Sequence, residues 1–120
     1  MDFNLIGCIA EYKFAVKAME LGLFVSFPLL DSSPYDCIVD TETGLKKIQI
    51  KSVASNSENS RCFLRKVKEN PYSLNDVDYF AIYLKYYDGF YIFKNDGIIK
   101  SIRFNKNTVM SNNFNNFEFL

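Results

Sequence analysis

The fold is decided by the stretch YDCIVDTETGLKKIQIK, residues 35–51. Residues 35–39 and 45–53 are typical of two strands, and the second run alternates apolar and polar residues over 48–51, as a strand with one buried face does. Between the two runs, Thr-Glu-Thr-Gly at 41–44 has the composition of a tight turn. The stretch therefore predicts an antiparallel β-hairpin.

The register of this hairpin follows from its turn. With the turn centred between residues 42 and 43, Asp36 lies opposite Gln49, unless a bulge shifts the pairing by one. Side chains alternate along a strand, so Ile48 and Ile50 point one way while Gln49 and Lys51 point the other. The pattern predicts a carboxylate, an amide and an amine close together on one face.

The rest of the chain supplies a helix and further strands. Residues 5–21 carry apolar pairs at helical spacing and end before a C-terminal glycine, so they predict a helix. Residues 61–67 fit either a strand or a short helix. The Asn-rich end predicts a poorly ordered tail over 105–120. Apolar and aromatic runs predict strands at 23–29, 77–87, 90–93 and 98–104, with hairpin turns at 88–89 and 95–97.

Composition narrows the class of protein. The 120 residues fit one domain, and a hydrophobic content of 48% supports a packed core. The chain has no His, which removes Ser-His and Cys-His catalysis, and its three widely spaced Cys fit neither a disulfide framework nor a zinc site. It has no apolar run of membrane-spanning length and no basic secretory start. We therefore expect a cytoplasmic protein without membrane contact.

The formal net charge is zero, but the charges are unevenly placed. Residues 1–44 carry seven acids against two lysines, whereas residues 45–68 carry seven bases against one acid. Such a dipolar surface can hold a polyanion at one face and metal ions at another. The alternative is that 45–68 is an ordinary solvated segment.

Four side chains have the chemistry of a metal site. Asp36 and Gln49 offer the oxygen ligands that hard divalent cations prefer, and Glu11 adds a second carboxylate from the predicted helix. Lys51, beside them, can orient or deprotonate a water molecule. Each residue also has an ordinary interpretation, since loop-edge Asp, solvated helical Glu and an exposed Gln-x-Lys strand face are common.

The order of these motifs resembles the PD-(D/E)XK nucleases. The resemblance rests on Gly7-Cys8-Ile9-Ala10-Glu11, Ser33-Pro34-Tyr35-Asp36 and Ile48-Gln49-Ile50-Lys51-Ser52. Residues 27–36 and 72–83 are more narrowly similar to homing endonucleases encoded in group I introns of cyanobacteria and phages, which also carry Gln-x-Lys. The likeness runs from about residue 5 to residue 104.

The resemblance implies roles for the candidate residues. Asp36 would be the main ligand of Mg²⁺ (or Mn²⁺), with the Gln49 amide oxygen and the Ile50 carbonyl beside it. Lys51 would position or activate water, and Glu11 would hold a metal-bound water or a second ion. Because Gln49 stands where an acid is usual, the site is one negative charge short.

The resemblance also implies a fold and a substrate. We expect an α/β, restriction-endonuclease-like core at 1–104, with a mixed central sheet between the N-terminal helix and a shorter helical element, followed by the tail at 105–120. The expected substrate is double-stranded DNA, cut by a homo-oligomer (dimer or tetramer) in a bacterial or phage-infected cell. The candidate DNA contacts are Ser33, Ser52, Arg61, Arg65, Lys66 and Lys68. Two alternatives stay open: a Holliday-junction resolvase, and a non-catalytic DNA-binding protein on the same scaffold.

Overall fold

The structure is a computed structural model that describes residues 2–68 and 70–120, without the side chain of residue 67. The helices are α1 (Phe3–Glu20) and α2 (Lys106–Val109), with a 3-10 helix at Phe117–Phe119. The strands are β1 (Phe24–Ser26), β2 (Cys37–Thr41), β3 (Gly44–Val53), β4 (Ser60–Phe63), β5 (Arg65–Val67), β6 (Asn70–Pro71), β7 (Tyr79–Leu84), β8 (Gly89–Lys94) and β9 (Ser101–Phe104).

Helix α1 begins and ends on residues suited to those positions. The Asp2 side chain accepts a hydrogen bond from the Asn4 N–H at 2.7 Å, which satisfies one of the free donors of the first turn. Beyond the helix, Gly22 has a φ of 87°, a left-handed conformation that glycine adopts without steric cost. No helix in the described part of the chain combines the length and apolar character needed to cross a membrane.

The central sheet is mixed and has the strand order β1-β2-β3-β7-β8. Strands β2 and β3 form the predicted antiparallel hairpin, and the pairing of Asp40 with Leu45 is the predicted register. Strands β3 and β7 are parallel, with Ile48 beside Tyr79. The α/β fold class is confirmed.

Two hydrophobic layers enclose this sheet. The layer under α1 includes Ala10 and Phe14 of the helix with Ile48 and Ile50 of β3. The layer on the opposite face contains Val109 of α2 and residues of β4, β7 and β9. Because β3 alternates, Gln49 and Lys51 belong to the face away from α1. Most side chains of the aromatic strands β7 and β8 are buried in these two layers.

Of the two alternatives for residues 61–67, the strand is confirmed, as β4 and β5. One prediction about pairing needs correction. The turn at 95–97 does not close a hairpin, because β9 pairs with β4 in a separate two-stranded sheet. The cause is Asn95, whose buried side-chain amide donates to the carbonyls of Tyr72 and Val77 at 3.1 and 3.0 Å and draws the chain away from β8.

Residues 105–120 pack on the sheet, in contrast to the predicted poorly ordered tail. The Asn113 amide donates to the Ile92 carbonyl at 2.8 Å, and the Asn115 side chain accepts from the Phe90 N–H at 2.8 Å. These bonds satisfy backbone groups along the outer edge of β8, which is the last strand of the sheet among the described residues. The Phe117 ring then stacks on Phe14 at 5.2 Å.

Candidate active site

Asp36 lies just before β2, and both its backbone and its side chain form hydrogen bonds with β3. Its N–H donates at 2.8 Å to the carbonyl of Ile48, the residue that pairs with Cys37. A regular continuation would pair Asp36 with Gln49, so the bond is shifted by one residue, as a bulge does. The Asp36 carboxylate Oδ2 then accepts the Ile50 N–H at 2.7 Å. The hairpin therefore holds this carboxylate against the backbone of β3.

The carbonyl of Ile50 is directed to the same edge. A strand residue presents its N–H and C=O to the same neighbouring strand, and the N–H of Ile50 points at Asp36. Strand β2 begins at Cys37, so it provides no strand partner at the level of Ile50. A carboxylate and a backbone carbonyl thus face the same space.

Glu11 of α1 completes an acidic pair with Asp36. Burial raises the pKa of Glu11 from 4.5 to about 7, with further increases from the charge of Asp36, from a hydrogen bond with Asp36 and from the charge of Asp31. Burial also raises the pKa of Asp36, although the Ile50 N–H, Lys51 and the hydrogen bond with Glu11 lower it. The shared bond favours protonated Glu11 as the donor and ionised Asp36 as the acceptor.

The acidic pair opens into a cleft of about 250 Å³ between α1 and the loop before β2. Asp31 and Ser33 line this cleft with Glu11 and Asp36. The Ser33 hydroxyl accepts a hydrogen bond from the Tyr35 N–H at 3.4 Å, which helps to shape the turn that presents Asp36. The predicted DNA-contact residue Ser33 therefore lies at the mouth of the acidic site.

Lys51 approaches the pair from the other face of the sheet. It is close enough for its charge to lower the pKa of Asp36. Its ammonium lies 5.2 Å from the centre of the Tyr72 ring, a cation–π contact that holds the side chain in one direction. The buried amide of Asn95 fixes the backbone of Tyr72 and so supports Lys51 indirectly.

Gln49 is placed by register alone. It lies opposite Phe80 of β7, half-buried, on the same sheet face as Lys51. No hydrogen bond joins it to Asp36 among the residues that the structure describes. The structure thus brings Glu11, Asp36 and the Ile50 backbone together, with Lys51 nearby.

The predicted DNA-contact residues on β3 and β4, and on or just after β5, fall into three environments. Ser52 and Arg61 line one cleft together with Lys51. The Arg65 guanidinium stacks 4.4 Å from the centre of the Phe63 ring. Lys66 and Lys68 are exposed, and Lys66 forms an ion pair with Asp76 at 2.7 Å.

The donor set suits a hard divalent cation. Across residues 2–68 and 70–120, no three His, Cys, Asp or Glu side chains come together as a metal cluster. A site with one or two carboxylates, completed by carbonyl oxygens and water, is nevertheless the usual arrangement for Mg²⁺. The raised pKa values of both acids fit this arrangement, since a cation between them would relieve their repulsion.

Sequence reasoning did not identify three residues of this region. The first is Asp31, which raises the pKa of Glu11. It could have been noticed as a carboxylate five residues before Asp36. Tyr72 was placed only in a stretch similar to homing endonucleases. The third is Arg103 of β9, which lies opposite Arg61 of β4. The two are 42 residues apart in the sequence, and local patterns do not reveal a pairing over that distance.

The chain belongs to the PD-(D/E)XK endonuclease family, since a sequence model of that family matches residues 1–118. No curated protein sequence matches it. Among solved structures it is similar to a bacterial homing endonuclease, I-Ssp6803I, with 27% sequence identity and a TM-score of 0.76. That match covers 99% of this chain and 88% of the other. The family predicted from the sequence is confirmed.

Proposed function

We propose that this endonuclease is a homing endonuclease that hydrolyses phosphodiester bonds in double-stranded DNA with a divalent metal ion, Mg²⁺ or Mn²⁺. The observation that carries the proposal is the Asp36 carboxylate, which accepts the Ile50 N–H of the Gln-x-Lys strand and lines one cleft with Glu11. Similarity to I-Ssp6803I supports the homing type. We also propose that the protein acts in the cytoplasm of a bacterial or phage-infected cell.

Each residue has a proposed part in the reaction. Asp36, the Ile50 carbonyl and the Gln49 amide oxygen would hold the metal, and Glu11 would hold a metal-bound water or a second ion. The bound ion supplies a more acidic water and positive charge beside the phosphate. Lys51 orients the attacking water and stabilises negative charge on the substrate.

The decisive experiment is cleavage of a pooled random-sequence and genomic DNA library with Mg²⁺ or Mn²⁺. We expect discrete cuts by the wild type, and a loss of about 10²–10⁴-fold in rate for Asp36→Ala and Lys51→Ala. Lys46→Ala is the matched control, because it removes one lysine from the same strand and should cut normally.

Each alternative has its own result. Binding without cleavage under either metal would contradict the endonuclease activity and support a DNA-binding protein. Cleavage of four-way junctions in preference to linear duplex would support a resolvase. Equal loss in Lys46→Ala would mean that Lys51 acts only through general charge.

The proposed homo-oligomer has a candidate interface on α1. Leu5, Tyr12, Val16 and Met19 form a stripe opposite the buried face of the helix, and each is more than half exposed. A helix that is apolar on both faces is normally covered on both. The aromatic strands β7 and β8 are occupied by the core, so we propose that a second copy of the chain covers α1, giving the two active sites that double-strand cutting needs.

Val16→Asp tests this interface. Light-scattering mass should fall from an oligomer to the monomer while the circular dichroism spectrum is retained. Lys17→Ala changes the neighbouring position outside the stripe and should leave the mass unchanged. A monomeric wild type, or an unchanged mass in Val16→Asp, would contradict the interface.

A further inference from the structure

We propose that the two-stranded ribbon of β4 and β9 reads base edges in the DNA major groove, through the cross-strand pair of Arg61 and Arg103. The inference rests on the proposed function and adds the element that would select the sequence. Neither the family match nor the structural neighbour assigns this role, and Arg103 carried no signal in the sequence.

The register of the ribbon sends both arginines outward. Arg61 is paired with Arg103, and Cys62 with Ile102. Cys62 packs in the core below, and Ile102 packs against that same core. Because strand side chains alternate, Arg61 and Arg103 share the opposite face, and both are exposed. The solvent face of the ribbon therefore carries two guanidinium groups side by side.

This arrangement is unfavourable for the isolated protein. Like charges directly opposite each other in an antiparallel pair destabilise it, and arginine cannot lose its proton to relieve the repulsion. Within the part of the chain that the structure describes, neither Arg61 nor Arg103 forms an ion pair with an acid. A ligand rich in hydrogen-bond acceptors or negative charge would remove the cost.

The next outward pair of the ribbon is Phe63 with Ser101. Phe63 is 51% exposed, with Arg65 stacked at 4.4 Å and the Arg61 guanidinium carbon 6.0 Å from its ring centre. Stacking on a ring orients a guanidinium without occupying its hydrogen-bonding edge. Phe63 thus serves as a platform that limits the directions in which the neighbouring arginines reach.

The ribbon also adjoins the candidate active site. Lys51 and Ser52 of β3 form one wall of a cleft of about 450 Å³, and Arg61 and Phe63 of β4 line the same cleft. The major groove is about 12 Å wide and admits a two-stranded ribbon. DNA held by the ribbon would therefore lie beside Lys51.

Arginine favours base reading over simple charge contact. Its guanidinium pairs in a bidentate manner with the O6 and N7 acceptors of guanine, which lysine cannot reproduce as a point charge. Two arginines on adjacent strands, with Cα atoms about 5 Å apart, can address neighbouring base pairs. An acidic protein partner would satisfy the same charges but gives no reason for the site to lie beside Lys51.

The test is selection from a random-sequence duplex library followed by measurement of binding to the selected site. Ca²⁺ replaces Mg²⁺ so that binding is measured apart from cleavage. We expect Arg61→Ala and Arg103→Ala each to bind the selected duplex about 10-fold more weakly and to lose base preference at one or two positions. Arg103→Lys should lose the same preference, because lysine keeps the positive charge but lacks the paired N–H donors of the guanidinium group. Lys17→Ala removes a charge from α1 and should match the wild type.

The failures are distinguishable. If Arg61→Ala and Arg103→Ala bind with wild-type affinity and preference, the ribbon does not read DNA, although the endonuclease proposal stands. Equal weakening on every sequence, with Arg103→Lys restoring binding, would assign phosphate contacts and overturn base reading. A wild type that neither selects a sequence nor cuts DNA would overturn the proposed function and the ribbon proposal together.

Discussion

The acidic cleft and the arginine ribbon both place like charges side by side, but they respond differently. At Glu11 and Asp36, the carboxylates are partly buried, and this burial raises the pKa of both. At Arg61 and Arg103, the guanidinium groups are exposed and remain charged, so water and salt screen their repulsion. The acidic cleft can therefore lower its charge by binding a proton, whereas the arginine ribbon stays charged and is screened by solvent.

The difference predicts which solution condition should control ligand binding at each region. A cation entering the acidic cleft displaces a proton, so its binding depends on pH. A polyanion meeting the ribbon displaces counterions, so its binding depends on salt. Lys51 lies between the two, close enough to influence Asp36 and lining the cleft that reaches Arg61.

The largest expected effect lies in the acidic cleft without metal. The pKa of Glu11 is about 7 in the folded protein against an ordinary 4.5. Proton binding therefore stabilises the fold fully below pH 4.5, and this contribution is lost as the pH rises through 7. At pH 8, Glu11→Gln should be more stable than the wild type by about 1–2 kcal/mol after allowance for solvent screening. Urea unfolding at pH 5 and pH 8 with a chelator measures this.

Glu20→Gln is the matched control, since it neutralises an exposed acid at the end of the same helix. It should follow the wild type at both pH values. If Glu11→Gln and the wild type show the same pH dependence, the two carboxylates do not share a proton. Mn²⁺ should bind the wild type about tenfold more tightly at pH 8 than at pH 6, following the ionised fraction of Glu11, and Glu11→Gln should lose this dependence.

A smaller effect is expected from Gln49. Gln49→Glu adds a third negative charge near Asp36, and the charge count of the ligands helps to set metal affinity. We expect Mn²⁺ affinity to rise about fivefold, roughly 1 kcal/mol, as measured by calorimetry or by the shift of the unfolding temperature. Gln49→Ala keeps the charge and should bind no more tightly than the wild type. Unchanged affinity in Gln49→Glu would place residue 49 outside the metal's ligands.

The acidic cleft was largely predictable from the sequence because its parts are local. The β2–β3 hairpin follows from two strand-like runs around one turn, and the register that pairs Asp40 with Leu45 brings Asp36 to β3. The contact of Glu11 with Asp36 joins different elements and came only from the family resemblance. What the sequence did not provide was the backbone bond from Ile50, which depends on where β2 begins.

The ribbon and the C-terminal segment were not predictable in the same way. Pairing of β4 with β9 joins residues about 40 positions apart, and no periodicity within either strand encodes it. The Asn-rich composition of 105–120 indicated disorder, but Asn113 and Asn115 bond to the open edge of β8. Composition describes what a segment favours alone, and an unpaired strand edge changes that preference.

The smallest effect should appear in the ribbon and has the opposite sign for stability and for binding. Arg61→Glu replaces a like-charge pair with a cross-strand ion pair to Arg103, which should stabilise the protein by about 0.5 kcal/mol in urea unfolding. The same change should weaken DNA binding more than Arg61→Ala does, because it adds repulsion from phosphate. Arg61→Ala removes only the repulsion and should lie between the wild type and Arg61→Glu in stability. A loss of stability in Arg61→Glu would mean that the arginine pair is held by contacts within the ribbon, and the reason for expecting a ligand there would disappear.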